Sequence, residues 1–335
     1  MPGRRPCPTI ASMSLTAPLL SAAQALATDA SEIIVAYASG PADIPKAWDG
    51  LQLPHLQALL ATLVPSTLVQ GDEMDFSPPH ERALARAMQL PDVPGLIPWA
   101  ALAAGDTAQA CAFITPCHWH ITPDQVHQTD PASAPLNEDE SRQLMALVAP
   151  WFSDDGITLE YLRADLWLAR GAAFKDLATA SMDRALGRDV RPWMPDPIQG
   201  AIIQRLQTEL QMLLYTNPFN DQRAERRLPP INSFWVHGTG SLPSMPATPA
   251  QAVCIDDLRH TTLQGDVQGW QKAWRDLDSS LVASLQQRAA RGEPVKLTLC
   301  GERNAVQWQS QPRGFMDKIK SVFGTKRLPD LREML

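Results

Sequence analysis

The segment Asn232-Ser233-Phe234-Trp235-Val236-His237-Gly238-Thr239-Gly240 places an amide, an indole N–H and an imidazole just ahead of two glycines. Glycine lets a backbone approach a ligand closely, and the three side chains are ready hydrogen-bonding groups. As chemistry, this is the wall of a polar site with Asn232, Trp235 and His237 facing a ligand. As scaffold, it is a buried strand with Phe234 and Trp235 in the core and glycines serving the following bend. His118 and His120 flank Trp119. A two-residue spacing in a strand points both imidazoles to one face, where they could share a metal or a phosphate. A metal wants three or four ligands, so Asp124 or His127 would have to fold back to complete it. Hydrogen-bonded structural imidazoles are the alternative.

Between Ser181 and Trp193, the arginines Arg184, Arg188 and Arg191 interleave with Asp183 and Asp189. Guanidinium forks at this density either receive an anion or pair internally with the neighbouring acids. Asn220 and Arg223 offer a second donor pair for a carboxylate or phosphate, and a helix-terminal cap explains Asn220 equally well.

These groups need elements to hold them. Glu32 to Tyr37 is β-branched-rich and reads as a buried first strand followed by a loop at Ser39-Gly40-Pro41. Leu53, Leu56, Leu59, Leu60 and Leu63 predict a helix ended by Pro65, and Ser77-Pro78 introduces another running toward Leu90, whose charges need no functional role. A strand over 110–115 delivers the His118 region, and Asn137 with Glu140 forms a capping-box pattern opening a helix through Trp151. Strands follow near 157–161 and 166–168, then a long helix over 198–215, a helix over 267–291 and a strand over 295–300. Helix-to-strand succession predicts α/β layering, here one core with a covering lobe near 110–240. Residues 1–31 are expected to be a disordered extension, and residues 312–335 a basic amphipathic tail in which Lys318, Lys320, Lys326 and Arg327 could dock an acidic protein partner.

The chain has 335 residues, a net charge of -7 and a pI near 5.5, which argues against a general nucleic-acid or anionic-membrane binder. Its five cysteines are scattered, with no Cys-x-x-Cys pair, so a reducing, cytoplasmic setting is expected. No stretch approaches the roughly 18 to 20 apolar residues of a membrane span.

The order of the motifs adds a resemblance. Asp-Arg-x-x-Gly-Arg-Asp from Asp183, Asn-Pro-x-Asn-x-x-Arg from Asn217 and Asn-x-x-Trp-x-x-Gly-x-Gly from Asn232 resemble the archaeal-type cofactor-independent phosphoglycerate mutases, and most closely the related RpfE-type regulatory-protein family. The resemblance implies an alkaline-phosphatase-like α/β sheet with flanking helices and a smaller inserted lobe. It also implies that the region of Asp183, Arg184, Arg188, Asn220 and Arg223 corresponds to a phosphosubstrate-binding portion. The mutases use two divalent metals held by Asp and His and a Ser or Thr that carries the phosphoryl group. Here Tyr37-Ala38-Ser39-Gly40 stands where the family has Asp-Gly, and Cys300-Gly301-Glu302 stands where it has Asp-His. Asp256 and His260 keep an Asp-x-x-x-His spacing, and the stretch between Gly240 and Asp256 is shortened, so the sheet is expected to be truncated. The expectation is a phosphoglycerate-mutase-like protein without catalysis or cofactor, binding a small phosphorylated or carboxylated ligand or acting as a regulator. The alternative is a mutase or phosphatase whose manganese or zinc sits on Asp256 and His260 with His118 and His120.

Overall fold

Two kinds of strand pattern build two kinds of sheet. The computed structural model describes residues 19–26, 28, 30–41, 44–246, 252–310 and 328–335. Its strands are β1 (Leu19–Leu20), β2 (Glu32–Val35), β3 (Val64–Val69), β4 (Cys111–Cys117), β5 (Trp119–Ile121), β6 (Val126–Gln128), β7 (Thr158–Arg163), β8 (Leu166–Arg170), β9 (Ser233–Gly240), β10 (Ala252–Ile255), β11 (Lys296–Cys300) and β12 (Ala305–Gln309). The near-continuous apolar runs of β2, β10 and β11 are buried on both faces, the pattern that suits a covered parallel sheet. They form the centre of a six-stranded sheet in the order β1-β10-β2-β11-β12-β3, in which β1, β10, β2 and β11 are parallel and β12 pairs antiparallel with both β11 and β3.

The second sheet, β7-β8-β4-β9, is antiparallel throughout, with register shifts in the β4–β9 and β7–β8 pairings, and its central strands alternate between two faces. Phe113, Leu166 and Leu168 join the core of the large sheet, whereas Ile114, Trp167, Ala169, Phe234 and Val236 pack on the other side against helices Glu138–Asp154 and Ala201–Thr216. A period of two thus lets one sheet serve two cores. The fold is mixed α/β, as expected, with the antiparallel lobe inserted between β3 and β10. The capping box at Asn137 is present, its side chain accepting from Glu140 N at 2.9 Å while Glu140 accepts from Asn137 N at 3.1 Å.

Some expectations shift. The predicted helix over 267–291 is one run interrupted by a π turn, Asp278–Val282, in which Asp278 turns away to accept from the backbone of Leu56 at 2.7 Å and His55 at 3.2 Å. It thereby caps helix Pro54–Leu60, whose own N-cap, Leu53, has no side-chain acceptor. Part of the expected 1–31 extension is built in. β1 pairs with the edge of β10, and Ser21 caps a short helix, Ala22–Ala25. The open edge of β10 offers the unpaired backbone groups that β1 takes up. Likewise Leu328–Met334 is helical and buries Leu331 in the main core, while the basic residues Lys318, Lys320, Lys326 and Arg327 fall outside the described residues. No helix among the described residues is long and apolar enough to cross a membrane.

Candidate functional site

The carboxyl ends of parallel strands are where α/β sheets gather ligands, because the loops leaving the strands converge there. Tyr37 follows β2, Asp256 and Arg259 follow β10, and Glu302 follows β11. Tyr37 has φ 58°, a left-handed conformation that costs a non-glycine residue about 1–2 kcal/mol. Its carbonyl accepts from Trp270 Nε1 at 3.1 Å, and its hydroxyl donates to Asp183 Oδ2 at 2.5 Å. Asp183 lies on the short helix Met182–Ala185, which brings the lobe against the strand ends. Arg259 donates to Asp183 Oδ1 through Nε at 2.9 Å and also through Nη2, and His80 Nε2 stands 3.6 Å from Oδ2. Burial alone would raise the Asp183 pKa. The Arg259 guanidinium and His80 overcome it and hold the carboxyl well below the usual carboxylate range.

Of these groups His80, Asp183, Asp256 and Arg259 edge a cavity of about 620 Å³ between the two sheets, a volume typical of small-molecule sites. Helix Pro79–Ala87 presents its first turn to it, with His80 buried and Glu81 accepting from Ser181 Oγ at 2.5 Å. Burial pushes the Glu81 carboxyl up, and His80, Ser181 and the nearby Trp99 indole only partly counter this. Asp256 is also raised, by burial and by Asp257, against the pull of Arg259. The antiparallel sheet supplies the far wall. There His237 Nε2 meets Thr115 Oγ1 at 3.1 Å, its ring packs 5.4 Å from that of Phe113, and burial pushes its pKa down to about 4. Gly238 sits at φ 62°, where an added Cβ would lie 3.1 Å from both Phe113 and Trp99. The site-or-scaffold question for 232–240 therefore divides by residue.

His237 and Gly238 line the cavity, while the other two candidates of that segment are framework. Asn232 is bonded to both backbone groups of Trp119, at 2.7 and 2.9 Å, and Trp235 donates to Ala180 O at 2.9 Å. The arginines expected to receive an anion are similarly engaged. Arg184 is buried, bonding Glu302 Oε1 at 2.8 Å, Glu302 O at 3.2 Å and Asp75 O at 3.0 Å, and Arg188 reaches the same Glu302 oxygen at 3.3 Å. Arg223 is fully buried among the carbonyls of Pro229, Pro135 and Ala134, with Glu140 at 3.1 Å, and Asn220 clamps Ile231 through both of its amide atoms. Internal pairing thus explains these groups. Only Asp183 of that set lines the cavity.

His118 is half-buried beside the β5–β6 hairpin and His120 exposed on it, and burial lowers the His118 pKa, with the nearby His120 adding to the effect. Neither faces the cavity. Asp256 faces it, but His260 is exposed on the next helix. Among the described residues no group of three or more His, Cys, Asp or Glu is placed to hold a metal ion, so the donors of the manganese or zinc alternative do not assemble. The residues that sequence reading missed are Tyr37, His80, Glu81, Trp99, Ser181 and Arg259. Two signals pointed toward them: Tyr37 directly after the first strand, and Pro78-Pro79-His80-Glu81 setting two ionisable groups in a helical first turn.

The chain matches no protein-family model and no curated protein sequence. Among solved structures, the cofactor-independent phosphoglycerate mutase from Thermoplasma acidophilum DSM 1728 matches 90% of this chain and 98% of its own, at 12% sequence identity and a TM-score of 0.36.

Proposed function

We propose that this chain is a binding protein that holds a small polar molecule in the inter-sheet cavity without transforming it. The observation that carries the reading is the cavity itself: about 620 Å³, at the carboxyl ends of the parallel strands, walled by aromatic and aliphatic side chains with a few convergent buried polar groups. Two further facts support binding over catalysis. The strand-end positions where the resembled mutases carry metal-binding carboxylate and imidazole are Tyr37 and Cys300-Gly301-Glu302. Moreover, Asp183 is already neutralised by Arg259 rather than left free to hold a cation. The relation to phosphoglycerate mutases rests on the motif order, and the narrower RpfE-type assignment has no support beyond those motifs. The free, buried thiols of Cys111, Cys117, Cys254 and Cys300 favour a reducing, cytoplasmic setting.

A thermal-shift screen across anionic, neutral and cationic metabolites tests the reading, together with Leu136→Trp, which enlarges a half-buried side chain on the cavity wall. At least one compound should raise the wild-type Tm, and Leu136→Trp should abolish that rise while leaving the unliganded Tm within a degree or two. No shift with any class, or a shift that survives Leu136→Trp, overturns it. Turnover of 3-phosphoglycerate with added manganese, lost in Asp256→Ala, would instead establish the enzyme.

A further inference from the structure

The sequence leads one to expect an anion, and the charges facing the cavity oppose that. Of the two guanidinium groups on its wall, Arg259 is bound to Asp183 and Arg163 to Asp165 at 2.6 Å. Three further carboxylates, Glu81, Asp130 and Asp256, line the same space. Asp130 accepts from Ala132 N at 2.9 Å and Glu81 from Ser181, whereas Asp256 makes no ion pair among the described residues. Five carboxylates, Glu81, Asp130, Asp165, Asp183 and Asp256, thus face two guanidinium groups around the void. An entering phosphate or carboxylate would be repelled, and an entering cation would relieve acids held there at the expense of their hydration.

A second, independent feature points to a ligand. Trp99 is 7% exposed, lines the cavity and has an indole N–H that meets no partner in hydrogen-bond geometry among the described residues. Buried donors are ordinarily satisfied, and an orphan on a cavity wall favours a ligand with an acceptor oxygen. The indole helps to lower the Glu81 pKa, against the larger effect of burial, from a position outside hydrogen-bond geometry, so an oxygen-seeking donor and a cation-seeking carboxylate lie side by side.

Resting on the binding reading above, we infer that the cavity takes an organic ammonium that also carries a hydroxyl or carbonyl oxygen. The nitrogen meets the Glu81 carboxylate, with Asp256 adding to the field, and the oxygen accepts from Trp99 Nε1. Ring carbons of such a ligand pack on Trp99 and Phe113, the apolar part of the wall.

Calorimetric titration of the full chain at pH 7 with glucosamine, glucose, ethanolamine and 3-phosphoglycerate tests this. Glucosamine and glucose share a ring and differ at the ammonium. Glucosamine should bind roughly tenfold or more tightly than glucose, the difference expected when a hydrogen bond gains a charged partner. Glu81→Gln should remove that preference, and Trp99→Phe should weaken both sugars together. Should Glu81→Gln fail to fold, Asp256→Asn serves, with a reduced preference expected. Glucose binding as tightly as glucosamine, tight binding of 3-phosphoglycerate, or no binding of either amine overturns the inference. Any compound of another class that binds and is blocked by Leu136→Trp leaves the binding reading standing; silence from every class removes both.

Discussion

At the residue scale, the site is governed by which ionisable groups are paired and which are only buried. His237 is the plainest case. Its pKa falls from 6.5 to about 4 through burial, with the Asp183, Arg163 and Asp165 charges as secondary influences and Thr115 as its neighbour. Between those values the unfolded chain binds a proton that the folded chain refuses, so stability rises with pH across the window and is lost as pH falls from about 6.5 to 4. The loss is on the order of 3 kcal/mol. His237→Gln should flatten the dependence of urea midpoint on pH between 6.5 and 4; an unchanged slope would mean that His237 does not titrate this way. Asp183 acts in a separate window. Its depressed pKa contributes stability that is complete above about pH 3.9 and lost as pH falls below it. Glu81 has the opposite sign, since its raised pKa makes the folded state the better proton binder and erodes stability as pH rises through the carboxylate range. Glu81→Gln is therefore expected to raise the unliganded Tm at pH 7 by a degree or more, read by calorimetry, even as it removes ammonium binding.

At the scale of elements, what positions the site is a set of borrowed caps and close approaches. Helix Pro54–Leu60 begins on a leucine, and its first N–H groups are satisfied by Asp278 from the π turn. Asp278 is 3% exposed, so Asp278→Ala leaves buried donors orphaned and is expected to cost about 2 kcal/mol in urea unfolding. A loss below about 0.5 kcal/mol would show that water replaces it. In β9, Gly238 holds a left-handed φ against Phe113 and Trp99. Gly238→Ala should lower stability by about 1–2 kcal/mol from backbone strain and disturb the cavity wall, visible as altered Trp99 fluorescence. The glycine was legible in the sequence and the cap was not. A helix-period pattern shows that a helix exists, but not that a turn over two hundred residues away completes its end.

At the scale of the whole molecule, the antiparallel lobe is bolted to the main sheet by buried polar links as well as by packing. Arg184 from the lobe forks onto Glu302 beyond β11 and onto the carbonyl of Asp75. Arg259 beyond β10 reaches back to Asp183 in the lobe. Arg184→Met should cost about 3 kcal/mol, because it strips a partner from a partly buried carboxylate and two carbonyls. Hydrogen exchange should then quicken in β4 and β9 more than in β2 and β11. Uniform acceleration across both sheets would argue that the lobe is held by its apolar contacts alone.

The amino-acid sequence by itself determined the layered α/β character, the strand at 32–35, the capping box at Asn137, the long helix ending at Asn217-Pro218 and the turn glycines of β9. Each follows from local periodicity or from a backbone conformation that few residues tolerate. Only the tertiary structure decided what the charged groups do. Arg184, Arg188 and Arg223 look alike in sequence to arginines that receive a phosphate, and become framework because Glu302, Glu140 and loop carbonyls fold onto them. Glu81, Trp99 and Asp256 look ordinary in sequence and become a candidate site because three separated segments enclose a void in which their charges and donor are not fully answered. Pairing and desolvation are properties of distance and burial, and neither is set until the chain has folded.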